Sequence, residues 1–230
     1  MPDSNLQWAA RFAGRFDPTF RFRWEIYKRA LREQLAADTV WLDIGCGDNA
    51  DIAAFGGQAG WSCGVDIRPP DGLSEPPFVR ADIYCLPFAA DSVDFISLRF
   101  VVEHLRDTDK ALGELHRILR PGGRVLIMTT NKNSPMIALP RILPSRAKNW
   151  ILRTLFHAAD EGLFPTFHRL NSKKDFAGLR SMFDIVRFDY LQDTNVANRA
   201  LFCLLFFWHL ATKSVLKSTR SNIIALLQKK

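Results

Sequence analysis

The stretch Val40-Trp41-Leu42-Asp43-Ile44-Gly45-Cys46-Gly47-Asp48-Asn49 constrains this chain more than any other. An apolar run leads into an Asp, and a loop with two glycines one residue apart opens a helix. That order suits a buried parallel strand whose carboxyl end meets a small polar ligand. Glycine at 45 and 47 permits positive φ and lets backbone N–H groups approach a ligand with no Cβ in the way. Asp43 supplies a fixed acceptor. Taken alone, Gly45-Cys46-Gly47-Asp48-Asn49-Ala50 also fits the dinucleotide pattern G-x-G-x-x-G/A, with Asp66 about 20 residues on.

The surrounding pattern alternates strands and helices. Strands are predicted at Val40–Ile44, Cys63–Ile67, Phe78–Ala81, Ser92–Leu98, Arg124–Thr130, Phe183–Leu191 and Asn222–Lys230. Helices are predicted at Phe20–Ala37, Ala50–Phe55, Asp107–Leu119 and Ser172–Met182, the third stopped by Arg120-Pro121-Gly122-Gly123. This rhythm predicts a doubly wound α/β sheet with helices on both faces and a ligand at the carboxyl ends of its strands. A chain of 230 residues suits a single domain. Its parts are an N-terminal helical segment (1–37), a core (38–131), an insertion over the rim with a helical piece near Lys148–His157 (132–171) and C-terminal strands (172–230). An apolar helix is expected over 199–217.

Charge divides along the chain. Residues 1–130 carry 15 Lys and Arg against 18 Asp and Glu, whereas residues 131–230 carry 16 against 6. The basic C-terminal half suits an anionic partner such as phospholipid head groups, a phosphorylated substrate or nucleic acid; a merely solvated surface reads equally well. Cys46, Cys63, Cys85 and Cys203 lack zinc or disulfide spacing, and no apolar run follows the first charges, so no metal, no signal peptide and a cytoplasmic setting are expected.

The rim chemistry separates the two cofactors. A pyrophosphate would sit near the Asp43 charge, whereas S-adenosylmethionine carries a sulfonium, an ammonium, ribose hydroxyls and an adenine. Asp43 is placed to support the amino-acid end through the loop. Asp66 can accept both ribose hydroxyls. Asp82 can accept from the adenine amine, with Ile67 and Ile83 on the two faces of the ring. The bland alternatives are a tight strand–helix turn for Gly45 and Gly47, a turn-former for Asp66, a turn cap for Asp82 and a small loop residue without redox role for Cys46.

The series Leu42-Asp43-Ile44-Gly45-Cys46-Gly47, Val65-Asp66-Ile67, Ala81-Asp82-Ile83-Tyr84-Cys85-Leu86-Pro87-Phe88, Ser92-Val93-Asp94-Phe95-Ile96, Val102-Glu103-His104-Leu105 and Leu119-Arg120-Pro121-Gly122-Gly123 resembles the class I S-adenosylmethionine-dependent methyltransferases, in their small-molecule branch with the methyltransferase type 11 domain. The resemblance covers about residues 38–131. It implies a Rossmann-like seven-stranded sheet, mostly parallel, with an antiparallel last strand at Asn222–Lys230. It also implies that Asp43, Gly45, Cys46, Gly47, Asp66, Ile67, Asp82, Ile83, Leu98 and Arg99 bind S-adenosyl-L-methionine. Many members have glycine where this chain has Asn49, a residue that tolerates the left-handed region.

Arg99 and Phe100 follow the fourth strand, where that fold brings methyl group and acceptor together; Arg99 can equally pair with a surface acid. Glu103 and His104 are the candidates for a general base, although the motif's presence whatever the substrate favours an architectural role. Methyl transfer is an in-line displacement and requires a base only when the acceptor must lose a proton. In Phe164-Pro165-Thr166-Phe167-His168-Arg169-Leu170-Asn171, the residues Phe167, His168 and Arg169 suit an acceptor pocket; a loop clamped by its own aromatics is the alternative.

Ala200–Ala211 is apolar but too short to span a bilayer, which takes about 20 residues. With Arg199, Lys213, Lys217 and Arg220 flanking it, and a second basic–aromatic set at Arg141, Arg146, Lys148, Trp150 and Arg153, it fits a helix at the inner face of a membrane; a buried helix or dimer interface fits too. No N-P-P-Y tetrad follows the fourth strand, only Leu98-Arg99-Phe100-Val101, which argues against nucleic-acid bases as acceptors. The function expected is methyl transfer to a small-molecule or lipid-like acceptor, possible at a membrane surface. The alternative is a silent S-adenosylmethionine-binding or partner-binding module of the same fold.

Overall fold

The computed structural model describes residues 2–69, 77–142 and 165–230. Seven strands form one sheet: β1 (Val40–Ile44), β2 (Trp61–Asp66), β3 (Phe78–Arg80), β4 (Val93–Arg99), β5 (Leu119–Thr130), β6 (Phe183–Leu191) and β7 (Asn222–Lys229). Their order is β3-β2-β1-β4-β5-β7-β6. The first five strands pair in parallel, with Asp43 opposite both Gly64 and Ser97. At its end, β7 reaches the start of β5 (Lys229 Nζ to the Leu119 carbonyl, 2.7 Å) and of β6 (Lys230 N to the Met182 carbonyl, 3.2 Å). It therefore runs antiparallel to both, and the mixed seven-stranded sheet is as expected.

The chain comprises two compact units. The sheet unit holds Tyr27–Thr130, Pro165–Asp189 and Ile223–Lys230. Its core is the apolar middle of the parallel strands, with Trp41, Leu42, Phe95, Ile96, Leu98, Val125, Leu126 and Ile127 at most 1% exposed. A strand covered on both faces needs such unbroken apolar runs. Helix α4 (Thr108–Ile118) buries Ala111, Leu112, Leu115 and Ile118, and the Asp107 side chain caps it through the Lys110 N–H. Helix α3 (Ala50–Phe55) stops at Gly56, as the sequence predicts.

The helical unit holds Met1–Ile26, Asn131–Phe164 and Tyr190–Asn222. Helix α1 (Pro2–Phe16) meets α7 (Arg199–Ala211) through an aromatic cluster: Phe12 lies between Trp8, Phe202 and Phe206, and Phe20, Phe22, Phe202 and Phe206 are buried. Such ring pairs add to the area they bury by about 0.5–1.5 kcal/mol each. Helix α5 (Pro135–Ile142) belongs to the same unit. Helix α6 (Lys173–Ala177) opens the chain's approach to β6 in the sheet unit.

Several boundaries differ from expectation, each for a local reason. The predicted Phe20–Ala37 helix is α2 (Arg23–Arg32), because the Glu25 carboxylate accepts the Phe22 N–H at its start and the chain leaves it in tight turns at Gln34 and Leu35. Arg120-Pro121-Gly122-Gly123 does not precede the fifth strand but loops out of it. Leu119 already pairs with Val93, and Arg124 resumes opposite Phe95, with Gly122 at φ 77°. The helix expected over Ser172–Met182 shortens to α6 and a 3-10 turn at Gly178–Ser181.

The apolar helix ends at Ala211 instead of 217, because the Thr212 hydroxyl bonds back to the Trp208 carbonyl at 2.8 Å. Phe206 is fully buried, so it cannot face a membrane beside Phe207 as the sequence suggests; Phe207 is 49% exposed. The expected helical piece at Lys148–His157 lies outside the described residues, as do Arg146, Lys148, Trp150 and Arg153 of the second basic–aromatic set.

Candidate active site

The loop after β1 is built for close approach. The Gly45 and Cys46 amides both donate to the Val65 carbonyl, at 2.7 and 3.2 Å, tying the loop to β2. Gly45 and Gly47 have φ of 72° and 55°, and a Cβ on Gly45 would collide with Val101. Asn49 adopts φ 60°, the conformation a third glycine would take, and its Nδ2 donates to the Pro77 carbonyl at 3.2 Å.

Asp66, at the tip of β2, accepts the Gly47 amide on Oδ2 and the Arg68 amide on Oδ1, both at 3.0 Å. A carboxylate oxygen has lone pairs beyond one bond, so both oxygens can still receive hydroxyls. Asp82 is exposed and accepts the Tyr84 amide at 3.0 Å, which is the turn-capping role given above as its alternative. Ile67 is 45% exposed and Ile83 only 8%, so the first offers an apolar face to a ligand more freely than the second.

Asp43 sits deeper than an exposed acceptor would. It is 4% exposed, and the Ser97 hydroxyl, itself accepting from Trp41 Nε1 at 2.9 Å, donates to Asp43 at 2.6 Å. Burial, relieved in part by the Ser97 hydrogen bond and reinforced by the Asp51 charge, pushes the Asp43 carboxyl up to about 7. Cys46 is likewise pushed up to about 12 by burial and by Asp43, which keeps a neutral thiol there. Leu98 is fully buried, and its side chain belongs to the sheet core; only its main chain is at the rim.

Arg99 pairs with Asp51, its Nε 3.3 Å from Oδ2, and its guanidinium lies 5.8 Å from the Tyr27 ring centre. Tyr27 is 1% exposed, and its hydroxyl, kept protonated by burial and by Asp43 and Asp51, lies beside the Ser97 hydroxyl. Tyr27, Asp51 and Ser97 carry no motif that marks them as site residues in the sequence. Ser97 was open to view, since a parallel strand beside Asp43 has one residue opposite it.

A second cluster joins the end of β5 to the last residues of the expected insertion, 165–171. The Glu103 carbonyl accepts the amides of Phe167 (2.7 Å) and His168 (3.2 Å). The Glu103 carboxyl accepts the Thr129 hydroxyl at 2.8 Å, and Asn171 Nδ2 donates to Thr129 Oγ1 at 2.7 Å and to the Thr130 carbonyl at 2.8 Å. Burial raises the Glu103 carboxyl, and the Thr129 bond is among the contacts that oppose it. His104 Nδ1 lies 3.1 Å from the Pro165 carbonyl, so that nitrogen carries the proton and Nε2 the lone pair. His168 Nδ1 is 3.3 Å from Thr130 Oγ1.

Phe100 and His168 both hold positive φ, at 58° and 51°, a costly conformation that recurs at ligand sites. Arg106 lies 5.3 Å from the centre of the Phe167 ring, and Arg169 is exposed. Glu103, His104, Phe167 and His168 are thus brought together directly. Asn171, which was quoted but given no role, links them to β5. A cavity of about 340 Å³ lined by Gln34, Asp94, Arg120 and Gly122 opens at the amino ends of β1 and β4, away from these strand tips.

A family profile described as a methyltransferase domain matches residues 19–179. The ubiquinone/menaquinone biosynthesis C-methyltransferase UbiE of Hahella chejuensis is 40% identical over 90 residues, covering 39% of this chain and 35% of that protein. A demethylmenaquinone methyltransferase of Thermus thermophilus is 34% identical over 98 residues, 38% of this chain and 44% of its own length. The chain therefore matches less than half the length of either relative. Among solved structures, the YcgJ protein from Bacillus superposes with TM-score 0.55 at 18% identity, covering 90% of this chain and 98% of its own. A geranyl diphosphate methyltransferase bound to its substrate and sinefungin gives TM-score 0.57 at 13% identity, with 89% and 78% covered. At that identity the structures speak for the fold alone. On the family match and the sheet together, the chain belongs to the methyltransferase-domain family, with the fold of the class I S-adenosylmethionine-dependent enzymes.

Proposed function

We propose that this chain transfers a methyl group from S-adenosyl-L-methionine to a small, lipid-like acceptor of quinone type. The observation that carries the first half is Asp66 locked to the Gly47 amide at the tip of β2, with lone pairs left for two ribose hydroxyls. The residues fit the rest of the cofactor. Tyr27 offers a buried donor, and Asp51 and Arg99 offer one charge of each sign to a zwitterionic amino-acid end. Asp82 and Ile83 serve the adenine, with Ile67 across the ring. The cofactor supplies an electrophilic methyl group on sulfonium, so what the protein must add is alignment and dryness.

The quinone-type acceptor draws on the names of the two relatives and on the aromatic lining of the second cluster. Phe100 and Phe167 offer flat apolar surface, and Arg106 and Arg169 offer positive charge to an acidic ring hydroxyl or a diphosphate. His104, with its lone pair on Nε2, is the better placed base where the acceptor carries a proton; Glu103 spends its carboxyl on Thr129 and acts as a positioning residue. A lipid-like acceptor also suits the membrane surface expected from the basic C-terminal half. The silent-module alternative draws less from Asn49, because that residue takes the left-handed conformation open to glycine.

The test is calorimetry with S-adenosylhomocysteine followed by transfer of labelled methyl to a demethylated quinone. Sub-millimolar binding and labelled product are expected. Absence of binding overturns the whole reading, whereas binding without transfer to any acceptor in a lipid extract restores the silent module.

A further inference from the structure

Five of the nine large apolar side chains exposed among the described residues fall in the helical unit: Phe16 (54%), Leu204 (67%), Phe207 (49%), Val215 (85%) and Leu216 (49%). They are not scattered. The Phe16 and Phe207 rings lie 5.7 Å apart, joining the end of α1 to the outer face of α7. Lys213 Nζ bonds Asp17 Oδ2 at 2.6 Å and Thr19 Oγ1 at 3.0 Å, which pins the segment after α7 beside the same end of α1. Val215 and Leu216 follow within ~10 Å of that anchor, given the reach of three residues. The inner face of α7, in contrast, is fully used: Phe202 and Phe206 are buried against Phe12, Phe20 and Phe22. Phe16 and Phe207 edge that cluster through Phe12 and Phe206 yet stay about half exposed, and Leu204, Val215 and Leu216 stand exposed beside them.

The charges around this patch have one sign. Arg11 and Arg15 are exposed on α1 and Lys217 on the segment after α7, while Lys213 is paired with Asp17. Asp17 is spent on Lys213, and no Asp or Glu occurs between Thr194 and Lys230. Among the described residues no helix is long and apolar enough to cross a membrane. Exposed phenylalanine and aliphatic side chains ringed by Arg and Lys, on helices too short to span, are what an interfacial contact with anionic lipid requires. A protein partner would also cover apolar area, but it would need its own block of acid to answer this rim.

We propose that the end of α1, the outer face of α7 and Val215–Leu216 form a docking surface for an anionic phospholipid bilayer. This rests on the helical unit alone. It deepens the lipid-acceptor reading but does not require it.

The experiment is co-sedimentation of the full chain with vesicles of phosphatidylcholine alone or mixed with phosphatidylglycerol. Preferential pelleting with the anionic vesicles, abolished by high salt, is expected. Leu204→Ser, Val215→Ser and Leu216→Ser combined should lower partitioning by about tenfold. Arg15→Glu with Lys217→Glu should lower it by about fivefold or more per site. Circular dichroism melting and S-adenosylhomocysteine affinity should stay at wild-type values in both variants. Equal pelleting with neutral and anionic vesicles, no pelleting, or an unaltered triple variant would overturn the proposal. A wild-type dimer that the triple variant dissolves, without vesicle binding, would assign the face to a second copy instead. Failure of the wild type to bind the cofactor while still pelleting would sink the methyl-transfer reading and leave this one standing.

Discussion

Asp66 and Gly47 meet across the tip of the sheet, the Gly47 amide donating to Asp66 Oδ2 at 3.0 Å. The carboxylate thus shapes the glycine loop and, in the proposed function, receives the ribose. Asp66→Ala removes both roles and leaves the loop amide without its acceptor. Losing hydrogen bonds to a charged group costs about 1.5–3 kcal/mol, which is roughly a ten- to hundredfold weakening of S-adenosylhomocysteine binding. Titration calorimetry reads this directly, and an unchanged affinity would place the ribose elsewhere.

Asn171 ties the Phe167–His168 segment to the end of β5. Its Nδ2 reaches Thr129 Oγ1 and the Thr130 carbonyl, and Thr129 in turn holds Glu103. Asn171→Ala leaves these buried groups underpaired and should lower stability by about 1–3 kcal/mol in urea unfolding. Methyl transfer should fall while cofactor affinity stays, because the Asp66 loop is untouched. If cofactor affinity falls as far as turnover, Asn171 does not act through the Phe167–His168 segment alone.

His209 and Asp43 respond to acid with opposite signs. Burial and the nearby Arg220 charge hold His209 down to about 4, below the unfolded value of 6.5. The unfolded chain then takes up a proton first, so His209 favours the fold above pH 6.5 and loses that contribution as pH falls from 6.5 towards 4. Asp43, raised to about 7 from 3.8, holds its proton longer in the folded state, so its burial weakens the fold as pH rises from 3.8 to 7. Urea unfolding across this range should show His209→Asn losing less stability than wild type on acidification. Asp43→Asn should gain on wild type as pH rises towards 7. Parallel profiles for all three proteins would contradict both assignments.

The sheet was legible because buried parallel strands are short apolar runs that end in Asp, Gly or Ser, and β1, α3 and β6 stand where the pattern puts them. The rim aspartates were legible for the same reason, since a strand's last residue must point its side chain at the ligand edge or into the core. Periodicity did not reveal which of these occurs. Asp43 and Leu98 went inwards, because Ser97 offered the first a partner and the sheet interior took the second. Phe20 falls on the helical spacing of Trp24, Tyr27, Leu31 and Leu35 yet lies ahead of the helix, because the Glu25 carboxylate accepts the Phe22 amide and fixes where the helix begins. Asn171 was unreadable for a different reason. Its partners, Thr129 and Thr130, lie about 40 residues back along the chain, and only the closed fold brings them together.

Gly64 of β2 has no room for a larger residue, since a methyl group there would strike the Asn49 side chain and Cys46 Sγ. Asparagine at 49 has therefore taken part of the space a side chain at 64 would need. Enlarging position 64 demands that both Asn49 and Cys46 give way, so this glycine is held by two side chains of the neighbouring loop and not by its own strand.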